Sequence, residues 1–93
     1  MSTVTLTINK IRPNSGTHWY IFSSAYLQYI SENDIEILSQ TNSILEITTR
    51  IIFPSETVYN TWNNSSIVID EMAILDEYLT TNGITSTRTE EIR

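Results

Sequence analysis

Val4, Leu6 and Ile8 alternate with Thr3, Thr5, Thr7 and Asn9, the period of a strand with one buried and one polar face, so the chain opens with a strand ending near Ile11. The Pro/Asn/Ser/Gly-rich stretch RPNSGTH follows with the chemistry of a loop. Ser23 or Ser24 then caps a short helix that carries Tyr26, Leu27 and Ile30 on one side and ends near Asn33. Ile35 and Ile37 predict a short strand, DIEILSQ, and TNS supplies a tight connection. The run ILEITTRIIF has the clearest strand pattern: Leu45, Ile47, Ile51 and Phe53 share one face, and Glu46, Thr48 and Arg50 the other. These two strands form a hairpin in this reading. Pro54 stops the second, because it has no N–H for a ladder.

Beyond Pro54, Ser55 is placed as an N-cap and Glu56 sits favourably in the first turn of a helix with Val58, Tyr59 and Trp62 at helical spacing. Asn63-Asn64-Ser65-Ser66 carries side chains that compete for backbone hydrogen bonds, which predicts a break and a second cap, or a kink in one helix. Val68, Met72, Leu75 and Leu79 form a further apolar stripe, and Asn82-Gly83 ends it as a C′ glycine does. The tail ITSTRTEEI is polar on both faces, so as a strand it belongs at a sheet edge or in a partner's sheet. The order β-α-β-β-α-β is that of an α+β ferredoxin-like sandwich, an antiparallel sheet with helices on one face and its first and third strands central. The whole chain, 1–93, reads as one domain.

Composition narrows the function. Net charge is -6, and the basic residues Lys10, Arg12, Arg50, Arg88 and Arg93 are scattered, which argues against nucleic acid as a partner because phosphate binding needs clustered cations. The carboxylates do not form the long runs of a DNA mimic. With no cysteine, disulfides, thiolate metal sites and thiol nucleophiles are excluded. The alternating N-terminus lacks the apolar core of a signal peptide, and no run has the length of a membrane span; the expectation is a soluble, cytoplasmic protein without a membrane partner.

The Thr-rich first strand leading into RPNSGTHWY, the strand end IIFPS, the helix ETVYNTW and the helix exit DEYLTTNGIT together resemble the dimeric α+β-barrel proteins related to antibiotic-biosynthesis monooxygenases. Small tailed-phage proteins are similar across the same stretches, which for a phage-encoded chain implies the cytoplasm of the host cell. The resemblance spans nearly the whole chain, on motifs that are structural. It implies a homodimer packed sheet against sheet, with a cavity on the face opposite the helices. In this chain that face carries Thr3, Thr5, Thr7, Asn9, Glu46, Thr48 and Arg50. A solvated sheet face is the plainer alternative.

The haem-degrading branch of the superfamily uses an Asn, a Trp and a His ligand. Asn9 and Trp62 match the first two, but the single histidine, His18, lies in the loop after the first strand, so no haem and no other cofactor is expected. Cofactor-independent oxygenases of the superfamily imply Asn9, Arg50, Tyr59 and Trp62 around an aromatic substrate, with Arg50 stabilising an enolate. His18, Trp19 and Tyr20 form a second aromatic group in the loop, the imidazole a candidate general base or recognition group; with no partner carboxylate close in sequence and no second histidine, the loop is read as packing its aromatic residues down on the sheet. One imidazole and no thiolate do not make a zinc site, and Glu32, Asp34 and Glu36 lack the glycine and spacing of a calcium loop. Asp70, Glu71, Asp76 and Glu77 are placed on the exposed side of the last helix. The resulting expectation is a homodimeric accessory or interaction protein with a possible protein partner and no catalysis. The alternative is a cofactor-independent monooxygenase or small-ligand binder using Asn9, His18, Trp19, Arg50, Tyr59 and Trp62 as its candidate residues.

Overall fold

The structure, a computed structural model, describes residues 2–93. Its elements are β1 (Val4–Ile11), α1 (Ser24–Glu32), β2 (Glu36–Thr41), β3 (Glu46–Phe53), α2 (Glu56–Asn64), α3 (Ser66–Thr81) and β4 (Thr85–Ile92). One four-stranded antiparallel sheet has the order β2-β3-β1-β4. The sequence reading placed β1 and β3 at the centre, and they are there. This is an open α+β sheet with three helices, consistent with a ferredoxin-like sandwich. The polar last strand pairs along its length with β1 of its own chain, Val4 opposite Ile92 and Ile11 opposite Thr85, and the ladder continues to Thr3 and Arg93.

Alternation sets the two faces of the sheet. Val4, Leu6, Ile51 and Phe53 are buried on the helical side, where Tyr26, Ile30, Tyr59, Trp62 and Val68 meet them. Phe53 lies edge-on to both Tyr59 and Trp62, with ring centroids 5.0 and 5.2 Å away. Leu75, Leu79 and Ile84 form a second cluster beneath Trp19, Tyr20, Phe22 and Tyr78, so the loop after β1 does pack down with its aromatic residues.

The predicted caps account for the helix ends. The Ser23 and Ser55 hydroxyls accept from the amides of Tyr26 and Val58. At the Asn63–Ser66 tetrad the helix does break: Ser65 has extended backbone, φ -75° and ψ 131°, and begins α3 without a side-chain cap bond. Both α1 and α3 end in the same motif. The Ile35 amide donates to the Ile30 carbonyl and the Ile84 amide to that of Leu79, with buried apolar side chains at both ends of each bond. The motif needs a left-handed residue, supplied by Asp34 (φ 56°) in one case and Gly83 (φ 68°) in the other. Gly83→Ala is therefore expected to destabilise the fold by about 1 kcal/mol through backbone strain alone, measurable as a lowered urea midpoint with unchanged slope.

Four positions depart from the sequence reading. Leu45 lies outside β3 and is 36% exposed, because residues 42–45 form the hairpin turn that the Ser43 and Glu46 backbones close. The second strand begins at Glu36 rather than Asp34, since residues 33–35 terminate α1. Leu27 is half-exposed instead of sharing the burial of Tyr26 and Ile30. Glu71, placed on the exposed side with Asp70, Asp76 and Glu77, is 4% exposed; the other three are exposed as expected.

Candidate functional site

The face of the sheet opposite the helices is uncovered. Strand parity gathers Thr5, Thr7 and Asn9 on β1, Glu46, Thr48, Arg50 and Ile52 on β3, Leu38 on β2 and Thr87 and Thr89 on β4. Asn9 donates its amide hydrogens to the Glu46 carboxylate at 2.9 Å and the Thr48 hydroxyl at 3.2 Å, so it ties β1 to β3. Arg50 stands at the middle of this face with Leu38 opposite on one side and Thr7 on the other. Its guanidinium has no ion-pair partner among the described residues, where Arg93 with Glu91 forms the ion pair. Thr3, Thr5, Thr7, Arg50, Ile52 and Thr89 line a shallow depression of about 570 Å³.

Tyr59 and Trp62 are on the other side of the sheet. Trp62 is 2% exposed, stacked with Tyr59 at 6.2 Å, and its indole N–H donates to the Tyr26 hydroxyl at 3.3 Å. The Tyr59 hydroxyl donates to Glu90 at 2.8 Å and receives a long bond, 3.4 Å, from Arg88. A single chain thus does not bring Asn9 and Arg50 together with Tyr59 and Trp62: the thickness of the sheet separates the pairs. The two aromatics that the resemblance implied for an aromatic site lie in the core, as their helical spacing favours.

His18 is exposed, and the bond that engages it falls on its backbone carbonyl, which accepts from the Tyr78 hydroxyl at 2.6 Å. Trp19 is half-buried with the Arg12 guanidinium 5.0 Å above its ring. Arg12 also donates to the carbonyls of Thr17 and Ile44, tying the loop after β1 to the β2–β3 turn. Among the described residues no group of three His, Asp or Glu side chains is placed to hold a metal ion.

Two charged groups missed in the sequence are buried on the helical side of the sheet. Glu71 of α3 accepts from the Tyr20 hydroxyl at 2.7 Å, the Ser23 amide at 3.0 Å and the Ser23 hydroxyl at 2.7 Å. Desolvation works to raise its pKa, but the bonds from Ser23 and Tyr20 outweigh it and hold the carboxyl below the ordinary 4.5. The Tyr20 phenol is pushed up to about 12 by desolvation, its bond to Glu71 and the charge there. The second group is Lys10, 7% exposed, whose ammonium lies 5.9 Å from the centroid of the Phe22 ring. Burial lowers its pKa.

Lys10 lies in a cleft of about 450 Å³ between the sheet and the loop after β1, walled by Trp19, Phe22, Leu27, Ile37 and Ile47. Both groups had a sequence signal. Lys10 continues the buried register of Val4, Leu6 and Ile8, and Glu71 is three residues after Val68 and four before Leu75, on the apolar stripe.

Comparison with protein-family models and with curated protein sequences gives no match. Among solved structures, a Burkholderia cenocepacia protein provisionally described as an amidohydrolase/peptidase is similar over 97% of this chain and 27% of that one, at 12% identity and a TM-score of 0.41. Among the described residues, no helix is long and apolar enough to cross a membrane.

Proposed function

We propose that the protein is a non-catalytic interaction module that acts as a homodimer through the uncovered sheet face. The observation that carries this reading is the environment of Arg50: an unpaired guanidinium at the centre of an open face, beside half-exposed Leu38 and Ile52 and among β-branched threonines. A two-fold axis set off from Arg50 brings each guanidinium toward acidic groups of the other copy, for which Glu36 and Glu46 lie on the same face, whereas an axis at Arg50 itself would oppose the two cations. Apolar contact from Leu38 and Ile52 supplies affinity, and charge pairing fixes orientation. The resemblance to sheet-to-sheet dimers and to small tailed-phage proteins favours the same reading and an accessory role in a host cytoplasm.

Sedimentation equilibrium tests it. The wild-type chain is expected to show twice the monomer mass at micromolar concentrations. Arg50→Glu is expected to weaken dimerisation by about 2 kcal/mol or more, roughly thirtyfold, without altering the circular dichroism spectrum. A monomeric mass at millimolar protein sinks the reading.

A further inference from the structure

We propose that the cleft over Lys10 is a binding site for a small apolar monocarboxylate, such as a medium-chain fatty acid or an aryl-alkanoate. It lies on the helical side of the sheet, away from the face assigned to dimerisation, and stands or falls independently of that assignment.

The argument begins with an unbalanced charge. Lys10 is more than nine-tenths buried as a residue, and among the described residues no side-chain hydrogen bond or ion pair engages its ammonium, which meets the face of the Phe22 ring and reaches solvent through the cleft; the buried side-chain polar atom left without a partner is the Tyr29 hydroxyl. An ammonium held against an apolar cleft without a counter-ion is partly desolvated, and a well-packed aliphatic side chain at the same register position would bury the same stem without that cost. The cleft around it is open enough, at about 450 Å³, to admit a ligand. Its walls are aromatic and aliphatic: Trp19, Phe22, Leu27, Ile37 and Ile47. The Ser39 and Thr49 hydroxyls also line it and share a hydrogen bond of 3.4 Å across the adjoining strands, which leaves one O–H free to donate to a carboxylate oxygen.

One cation, one free hydroxyl proton and an apolar wall match one negative charge on an apolar body. A phosphate dianion would need further donors of the kind that a glycine-rich loop or helix N-terminus supplies, and the chain's net charge of -6 disfavours polyanions. Half-exposed Leu27, anomalous as a core residue of α1, is explained as part of the wall that the ligand's chain would cover.

Lys10 is the single lysine, so lysine carrying ¹³C at the ε carbon places one resonance in the spectrum, and it reports on this cleft. Titration with sodium octanoate is expected to shift that resonance saturably and to quench Trp19 fluorescence in a Trp62→Phe background. Octan-1-ol, with the same chain length and no charge, is expected to bind at least about tenfold more weakly. Lys10→Met keeps the unbranched stem, removes the charge, and is expected to raise the thermal midpoint while lowering octanoate affinity by at least about tenfold. Equal affinity for the acid and the alcohol overturns the proposal, as does undiminished octanoate binding by Lys10→Met. An unmoved Lys10 resonance at millimolar octanoate overturns it as well, and this measurement and the acid-alcohol comparison need no variant at Lys10.

Discussion

Trp62→Ala is expected to lower the unfolding free energy by about 4 kcal/mol, the upper part of the range for truncating a buried aromatic side chain. Trp62 is where α2, β3 and α1 meet: its ring stacks on Tyr59, stands edge-on to Phe53, and bonds through its N–H to Tyr26. Truncation leaves a cavity walled by rings too large to collapse into it, and it removes the donor to a tyrosine hydroxyl in the core. For a domain of this size the loss corresponds to a fall in melting temperature of roughly 20 °C. Trp62→Phe separates the two contributions, since it keeps an aromatic ring and deletes only the donor and part of the volume; a cost near 1 to 2 kcal/mol is expected. Equal melting temperatures for wild type and Trp62→Ala, followed by near-ultraviolet circular dichroism, would show that this packing is not formed in solution.

Glu71→Ala is expected to cost about 3 kcal/mol, because three bonds to a buried carboxylate are lost together and the Tyr20 hydroxyl and Ser23 amide are left to find other partners. The effect should be local as well as global. Glu71 fastens α3 to the loop after β1 and to the first turn of α1, so amide exchange in residues 19–26 should accelerate more than in β1 or β3. The pH dependence has a definite sign. The folded carboxyl titrates below its ordinary 4.5, so its contribution is complete above that value and is lost as pH falls through the lower, folded value. Wild type should therefore lose stability between neutral pH and pH values below 4.5 by more than Glu71→Gln does, the two converging in acid. Parallel stability curves for the two proteins would contradict the assignment.

The split between Asn9 with Arg50 and Tyr59 with Trp62 bears on any enzymatic reading. A pocket for an aromatic substrate requires these side chains around one volume, and the sheet stands between them. The cleft proposed for a ligand lies instead on the helical side, at Lys10, where aromatic residues from the loop after β1 make the wall. Trp19, which the sequence grouped with His18 and Tyr20 in the loop and not with the residues the superfamily resemblance implied, belongs to that wall.

Much of the architecture follows from local pattern. Alternation from Thr3 to Ile11 and along β3 settled which side chains face the helices, because strand geometry leaves no other way to bury Val4, Leu6, Ile51 and Phe53 together. Pro54, Ser55 and the Asn82-Gly83 pair marked element ends through backbone chemistry that acts within a few residues. The order of the elements then implied the central pair of strands.

What pattern left undecided was the fate of charged residues at buried phases. Periodicity states that Lys10 and Glu71 lie on inward-facing positions; whether an inward charge is tolerated depends on which groups arrive from elsewhere. For Glu71 they come from Tyr20 and Ser23, 51 and 48 residues away in sequence. For Lys10 the fold brings aromatic rings and leaves the ammonium without a counter-ion. Partners at such separations are set by how the loop after β1 folds back over the sheet, a tertiary event that no local pattern encodes.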